Sequence, residues 1–74
     1  MTLMWEVRAV PNRIEELVRF VLDHTHPSAE VYRGSDRVVV IDPSGRGLTG
    51  VPGELMARPP QSWSFERVPR ADAV

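Results

Sequence analysis

An apolar strand lies near the middle of the chain, in the stretch Arg37-Val38-Val39-Val40-Ile41-Asp42. β-branched residues favour extended backbone, and the four consecutive ones in this stretch predict a strand. Side chains alternate across a strand, so Val38 and Val40 point to one face while Val39 and Ile41 point to the other. Both faces are therefore apolar, which is typical of a strand that is covered on two sides.

A hairpin and a helix precede this strand. Alternation from Ala29 to Arg33 predicts a strand, and Gly34-Ser35-Asp36 has the composition of the turn that joins the two arms. Further upstream, apolar residues recur at the spacing of one helical face, which predicts a helix from Asn12 to His24. That face comprises Ile14, Leu17, Val18, Val21 and Leu22. Asn12 followed by Glu15 resembles a capping box at the start of this helix.

The outer parts of the chain predict two more strands, over Leu3–Val10 and Ser62–Val68. Gly45–Gly53 is a Gly- and Pro-rich loop, and Pro52–Arg58 has room for one or two helical turns before Pro59. The predicted class is α+β, with a ferredoxin-like β-α-β-β-(short α)-β order and an antiparallel sheet carrying one long helix on one face. We expect residues 1–69 to form a single domain and residues 70–74 a frayed tail.

Over Leu3–Asp42 this pattern resembles the dimeric α/β-barrel superfamily, which includes the antibiotic-biosynthesis-monooxygenase-like domains. The resemblance rests on a strand ending in a proline turn, an amphipathic helix and a hairpin, and the chain departs from the family by lacking a full second helix. It implies that two subunits place their sheets face to face. It also implies an alternative function, a small cofactor-independent monooxygenase-like enzyme with a pocket between sheet and helix.

Composition limits the classes of partner. Nine basic and ten acidic residues give a net charge of −1 and are scattered along the chain, so no basic face for nucleic acid is expected. The N-terminal residues lack a signal-peptide pattern and no apolar run has membrane-spanning length, which predicts a cytoplasmic protein without membrane contact. A chain of 74 residues without cysteine has a small core and no disulfide, which favours a homodimer. An unidentified protein or a small molecule is the alternative partner.

The covered strand indicates where such a dimer would form. A single helix shields only one of its two faces, so we expect a second subunit to cover the other. The predicted interface includes Val38, Val39, Val40 and Ile41, and the loop Gly45–Gly53 is the alternative cover for part of that face.

Few residues suggest chemistry. His24 and His26 lie beside Asp23 and are weak candidates for proton transfer, but two imidazoles without cysteine do not make a structural metal site. Gly45-Arg-Gly47-Leu-Thr-Gly50 matches the letters of a dinucleotide fingerprint, yet no helix of adequate length follows it. We therefore predict no cofactor and no metal.

Aromatic and arginine side chains on the strands have two interpretations each. The aromatic residues would suit an RNA-stacking surface, but the accompanying basic and Gly pattern is missing, so anchors of the core or dimer interface are favoured. They are Trp5, Tyr32, Trp63 and Phe65. The arginines are expected to be solvated, with a carboxylate clamp as the alternative. They are Arg8, Arg33, Arg37 and Arg67. No motif identifies a reaction, so the sequence favours a binding or interaction module of unknown role.

Overall fold

The computed structural model describes residues 1–70 and contains four strands and one α-helix. The strands are β1 (Thr2–Arg8), β2 (Glu30–Arg33), β3 (Arg37–Asp42) and β4 (Gln61–Phe65). The helix α1 spans Ile14–His24, and a short 3₁₀ turn spans Gly53–Leu55. The predicted α+β class with an antiparallel sheet and one long helix is confirmed. The expectation of a frayed tail falls largely on residues 71–74, which lie outside the described residues.

The four strands form one antiparallel sheet in the order β2-β3-β1-β4. β3 lies between β1 and β2, and it pairs with both. In the register of β1 with β3, Trp5 is opposite Val40 and Val7 is opposite Val38. These four side chains are buried on the same face of the sheet. The hairpin predicted around Gly34 is confirmed, and the Gly34 amide donates to the Arg37 carbonyl over 2.8 Å.

The helix begins two residues later than the sequence predicted, because the residues before it form a turn. The Arg13 amide donates to the Val10 carbonyl over 3.0 Å, and Asn12 has a φ of 69°. Pro followed by Asn at positive φ is the chemistry of a type II turn, and Asn tolerates this conformation better than most residues. Arg13 occupies the N-cap position without a side-chain capping bond, so the predicted capping box of Asn12 and Glu15 is wrong.

The core lies between the helix and one face of the sheet. Leu17 and Val21 are fully buried there, whereas Leu22 is 59% exposed, so its predicted place in the core is wrong. At about 100° per residue, Leu22 lies about 120° from the line between Leu17 and Val21 and turns towards solvent. Phe20, on the other flank of that line, packs against the core in its place.

The loop between β3 and β4 covers the rest of this same face. Leu48 and Val51 pack against the core cluster, and Leu55 in the 3₁₀ turn is buried within it. This location contradicts the alternative that the loop covers the opposite face. The helical turns expected over Pro52–Arg58 shrink to Gly53–Leu55, since Met56 already pairs with Ala9 as an isolated β-bridge.

Candidate functional site

The face of the sheet opposite the helix is the candidate site, and we call it the open face. Strand alternation brings every second side chain of the four strands to it. The register aligns them in rows, because Met4 is opposite both Ile41 and Trp63, and Glu6 is opposite both Val39 and Gln61. The open face comprises Thr2, Met4, Glu6, Arg8, Glu30, Tyr32, Arg37, Val39, Ile41, Gln61, Trp63 and Phe65.

A shallow apolar groove of about 350 Å³ lies on the open face. It is lined by Met4, Glu6, Val39, Trp63 and Phe65. Trp63 is 46% exposed and Phe65 is 50% exposed, so each offers roughly half of an aromatic side chain to whatever approaches. Large aromatic side chains with this exposure are enriched at binding surfaces, where their burial supplies most of the contact energy.

A network of ion pairs borders the groove. Arg37 Nη1 donates to Glu6 Oε2 over 2.6 Å, and Arg37 Nε donates to Asp36 Oδ1 over 3.0 Å. Arg8 Nε lies 3.7 Å from the other oxygen of Asp36. The hydrogen bond from Arg37 lowers the pKa of Asp36, and the bonds to Asp36 and Glu6 raise the pKa of Arg37. Arg37 is thus paired within the chain with Glu6 and Asp36, so its guanidinium is not free to clamp the carboxylate of a ligand.

A second groove, of about 490 Å³, lies at the far end of the open face. Its lining is mixed rather than apolar, and Phe65 belongs to both grooves. The other lining residues are Thr2, Ser28, Glu30, Ile41, Pro43, Glu66 and Arg67. Phe65 therefore stands as a ridge between an apolar half and a polar half of the surface.

The predicted interface residues divide between the two faces of the sheet. Val38 and Val40 are fully buried against the helix side, while Val39 and Ile41 lie on the open face with intermediate exposure. An interface on the open face would therefore contain Val39 and Ile41. Val38 and Val40 belong to the core on the helix side of the same strand and would not contact a partner on the open face. Met4 and Glu6 join it, although sequence reasoning did not single them out, because only the strand register places them beside Trp63 and Val39.

The two histidines are held locally. The His24 ring stacks on Phe20 with centroids 4.0 Å apart, and its Nδ1–H donates to the Phe20 carbonyl over 2.8 Å. The Ser28 amide donates to His26 Nδ1 over 3.0 Å, and the Ser28 hydroxyl oxygen lies 2.7 Å from the same nitrogen. Within residues 1–70, no group of three His, Cys, Asp or Glu side chains has an arrangement that could hold a metal ion. Neither histidine lines the two grooves described above.

Asp42 is a buried carboxylate that organises the loop after β3. It accepts hydrogen bonds from the Ser44 amide (2.9 Å), the Ser44 hydroxyl (2.6 Å) and the Gly47 amide (2.9 Å). Burial raises its pKa, but these bonds, with the charge of His26, outweigh burial and leave the pKa below the ordinary value of 3.8. The sequence Asp42-Pro43-Ser44-Gly45 signalled a turn, but the burial of Asp42 follows from its inward position on β3.

Three comparisons with known proteins bear on the wider class of the chain. No family model, curated protein or solved structure matches it. Within the described residues, no helix has the length and apolarity needed to cross a bilayer. Evidence about function comes instead from the open face, where half-exposed aromatic side chains lie beside charged side chains that are already in ion pairs.

Proposed function

We propose that this chain is a small homodimeric interaction module of the ferredoxin-like kind, in which a second copy covers the open face. One observation carries the proposal. Met4, Val39, Trp63 and Phe65 form a contiguous apolar groove, while the helix and the loop both pack on the opposite side of the sheet. A surface of this kind on so small a domain is typical of a site for association.

The charges of the open face favour a second copy over a strongly charged partner. Arg37 is bonded to Glu6 and Asp36, so the border of the groove carries no large excess of either sign. Two identical neutral surfaces can meet without like-charge repulsion. Association would remove apolar area from water at about 25 cal/mol per Å², in a domain whose own core is small.

The strand order supports the ferredoxin-like assignment. The helix links β1 to β2, and β3 lies between these two strands, which is the split β-α-β arrangement. In this proposal the short 3₁₀ turn Gly53–Leu55 stands in place of a second helix, and the loop around it fills the core on the helix side.

The enzymatic alternative has weaker support. A monooxygenase-like reading places the pocket between the sheet and the helix, where Leu17 and Val21 are fully buried against the strands. Both grooves described above lie on the opposite face, and neither is lined by His24 or His26. An interaction module uses the open face as it stands.

Sedimentation equilibrium at micromolar concentration tests the proposal. We expect the unmodified chain to sediment as an assembly, and we expect Val39→Arg to halve the number of copies because it charges the middle of the open face. Val39 is half-buried on the open face, so the charged end of the new arginine reaches solvent in the separated chain and the fold is retained. Leu22→Arg is the matched control, because it makes the same kind of change at an exposed apolar residue on the helix. A monomeric unmodified chain, or an assembly that Val39→Arg leaves intact, would contradict the proposal.

A further inference from the structure

β4 is an edge strand with an unprotected side. One side of β4 pairs with β1, and within residues 1–70 no strand pairs with the other side. An edge strand presents unpaired N–H and C=O groups, and proteins normally protect such edges with charges, prolines, bulges or short length. The segment Gln61-Ser62-Trp63-Ser64-Phe65 contains no charge and no proline, and all five residues are exposed.

The opposite edge of the sheet is different. β2 has four residues, and it carries Glu30 at one end and Arg33 at the other. Charged residues on a short edge strand discourage further strand pairing. Of the two edges, β4 is the longer and has no charge within the strand, so it is the edge better suited to pairing with another strand.

The sequence of β4 is suited to pairing with itself. Ser62 and Ser64 flank Trp63, so an antiparallel pair of two β4 strands centred on Trp63 places Ser62 opposite Ser64 of the second copy. Serine side chains placed opposite each other on the helix-side face are small and can hydrogen-bond across the pair. On the open face, Trp63 then meets Trp63 of the second copy, and Phe65 meets Gln61. A two-fold interface requires this kind of self-complementary surface.

We propose that two copies of this chain pair antiparallel through β4, centred on Trp63, to form one continuous eight-stranded sheet. This interface runs along the edge of the sheet and meets the open face at Trp63, and it extends the proposed function. The two-fold axis of an antiparallel strand pair is perpendicular to the sheet, so both open faces of the extended sheet point the same way. Two such sheets can then pack through their open faces, and the two interfaces together close a tetramer.

Solution mass separates the two interfaces. Ser62→Lys/Ser64→Lys places lysine opposite lysine twice at the edge and leaves the open face unchanged. We expect the assembly of this variant to contain half as many chains as the assembly of the unmodified protein. We expect the variant that combines these lysines with Val39→Arg to be a monomer. Ser35→Lys, in the exposed turn between β2 and β3, is the control and should not change the mass. If Val39→Arg halves the mass but the double lysine variant does not, the edge proposal is wrong and the open-face proposal stands. If the double lysine variant halves the mass but Val39→Arg does not, the open-face proposal is wrong and the edge proposal stands.

Disulfide cross-linking tests the register. The chain contains no cysteine, so Ser62→Cys and Ser64→Cys each introduce a single thiol. Directly opposite residues have Cβ atoms about 4.5–5.5 Å apart, close to disulfide geometry, whereas diagonal neighbours are about 7–8 Å apart. A mixture of the two variants should cross-link under mild oxidation, and each variant alone should cross-link at least several-fold less. Equal cross-linking of Ser62→Cys alone, or no cross-linking in the mixture, would overturn pairing centred on Trp63.

Discussion

Met4 and Trp63 stand directly opposite each other on adjacent antiparallel strands, and both line the same apolar groove. Met4 comes from β1, at the interior of the sheet, and Trp63 comes from the edge strand β4. The pair joins the open face to the free edge, so an aromatic side chain that anchors one proposed interface also stands at the centre of the other.

The helix should depend on Leu17 far more than on Leu22. Leu17 is fully buried, and truncation of such a leucine to alanine leaves a cavity that lowers the free energy of unfolding by about 2–5 kcal/mol. Leu22→Ala removes the same atoms from a side chain that faces solvent, and we expect a change within about 0.5 kcal/mol. Urea denaturation of the two variants measures the difference, and equal losses would contradict the assigned helix face.

Asp42 should make stability depend on acid. Its pKa is lowered in the folded state, so its contribution is fully present above the unfolded value near 3.8 and is lost as the pH falls through the lower folded value. Asp42→Asn replaces one acceptor oxygen with an NH₂ group, which donates and therefore cannot accept a hydrogen bond from a backbone amide. We expect this change to lower the free energy of unfolding by about 1–3 kcal/mol at neutral pH. Denaturation from pH 7 to pH 2 should show the gap between the variant and the parent narrowing with acid. If the difference in free energy of unfolding between the variant and the parent stayed constant with pH, the charge of Asp42 would not contribute to stability.

Gly47 should resist substitution. Its φ is +69°, and a Cβ added there would lie 2.5 Å from Leu3 Cδ2. A side chain in this backbone region is strained, so we expect Gly47→Ala to lower the free energy of unfolding by about 1–3 kcal/mol. Gly53→Ala is the matched control, since an added Cβ there meets nothing within 4 Å. Thermal melts of the two variants are the measurement, and equal melting temperatures would show that the loop adjusts freely.

Removal of metal should leave the fold intact. His24 and His26 each hold Nδ1 in a local hydrogen bond, and within residues 1–70 no group of three His, Cys, Asp or Glu side chains could hold an ion. We therefore expect melts with and without a chelator to coincide. A fall in melting temperature on chelation would require a structural ion and would reopen the role of both histidines.

Local sequence patterns predicted the helix and strands well, but they predicted the start of the helix and the width of its buried face less well. The spacing of Leu17 and Val21 predicted a helix and its buried line, because that periodicity is set by the helix itself. Asn12 was misassigned because the same residue type caps helices and also adopts positive φ in turns, and Pro11 favours the turn. Leu22 was misassigned because an apolar stripe read from sequence is wider than the surface that the sheet can cover.

The candidate site was predicted only in part, since it depends on strand register. Alternation placed Val39 and Ile41 on one face, and it placed Trp63 and Phe65 together on another strand. Nothing local states that Met4 is opposite Trp63, because the two residues are joined by pairing between distant segments. The sequence also could not predict the face of the sheet on which Leu48 packs, because a loop has no periodic pattern that indicates which face it covers.

The position of β1 in the sheet has a consequence for synthesis of the chain. β1 is made before the other three strands of this sheet, yet its two neighbours are β3, which begins at Arg37, and β4, which begins at Gln61. A nascent chain emerging from the ribosome therefore holds its future central strand without hydrogen-bonded partners while all the intervening segments are translated. During that interval Trp5 and Val7 lack the strand that later helps to bury them, so both apolar side chains are exposed to non-native contacts.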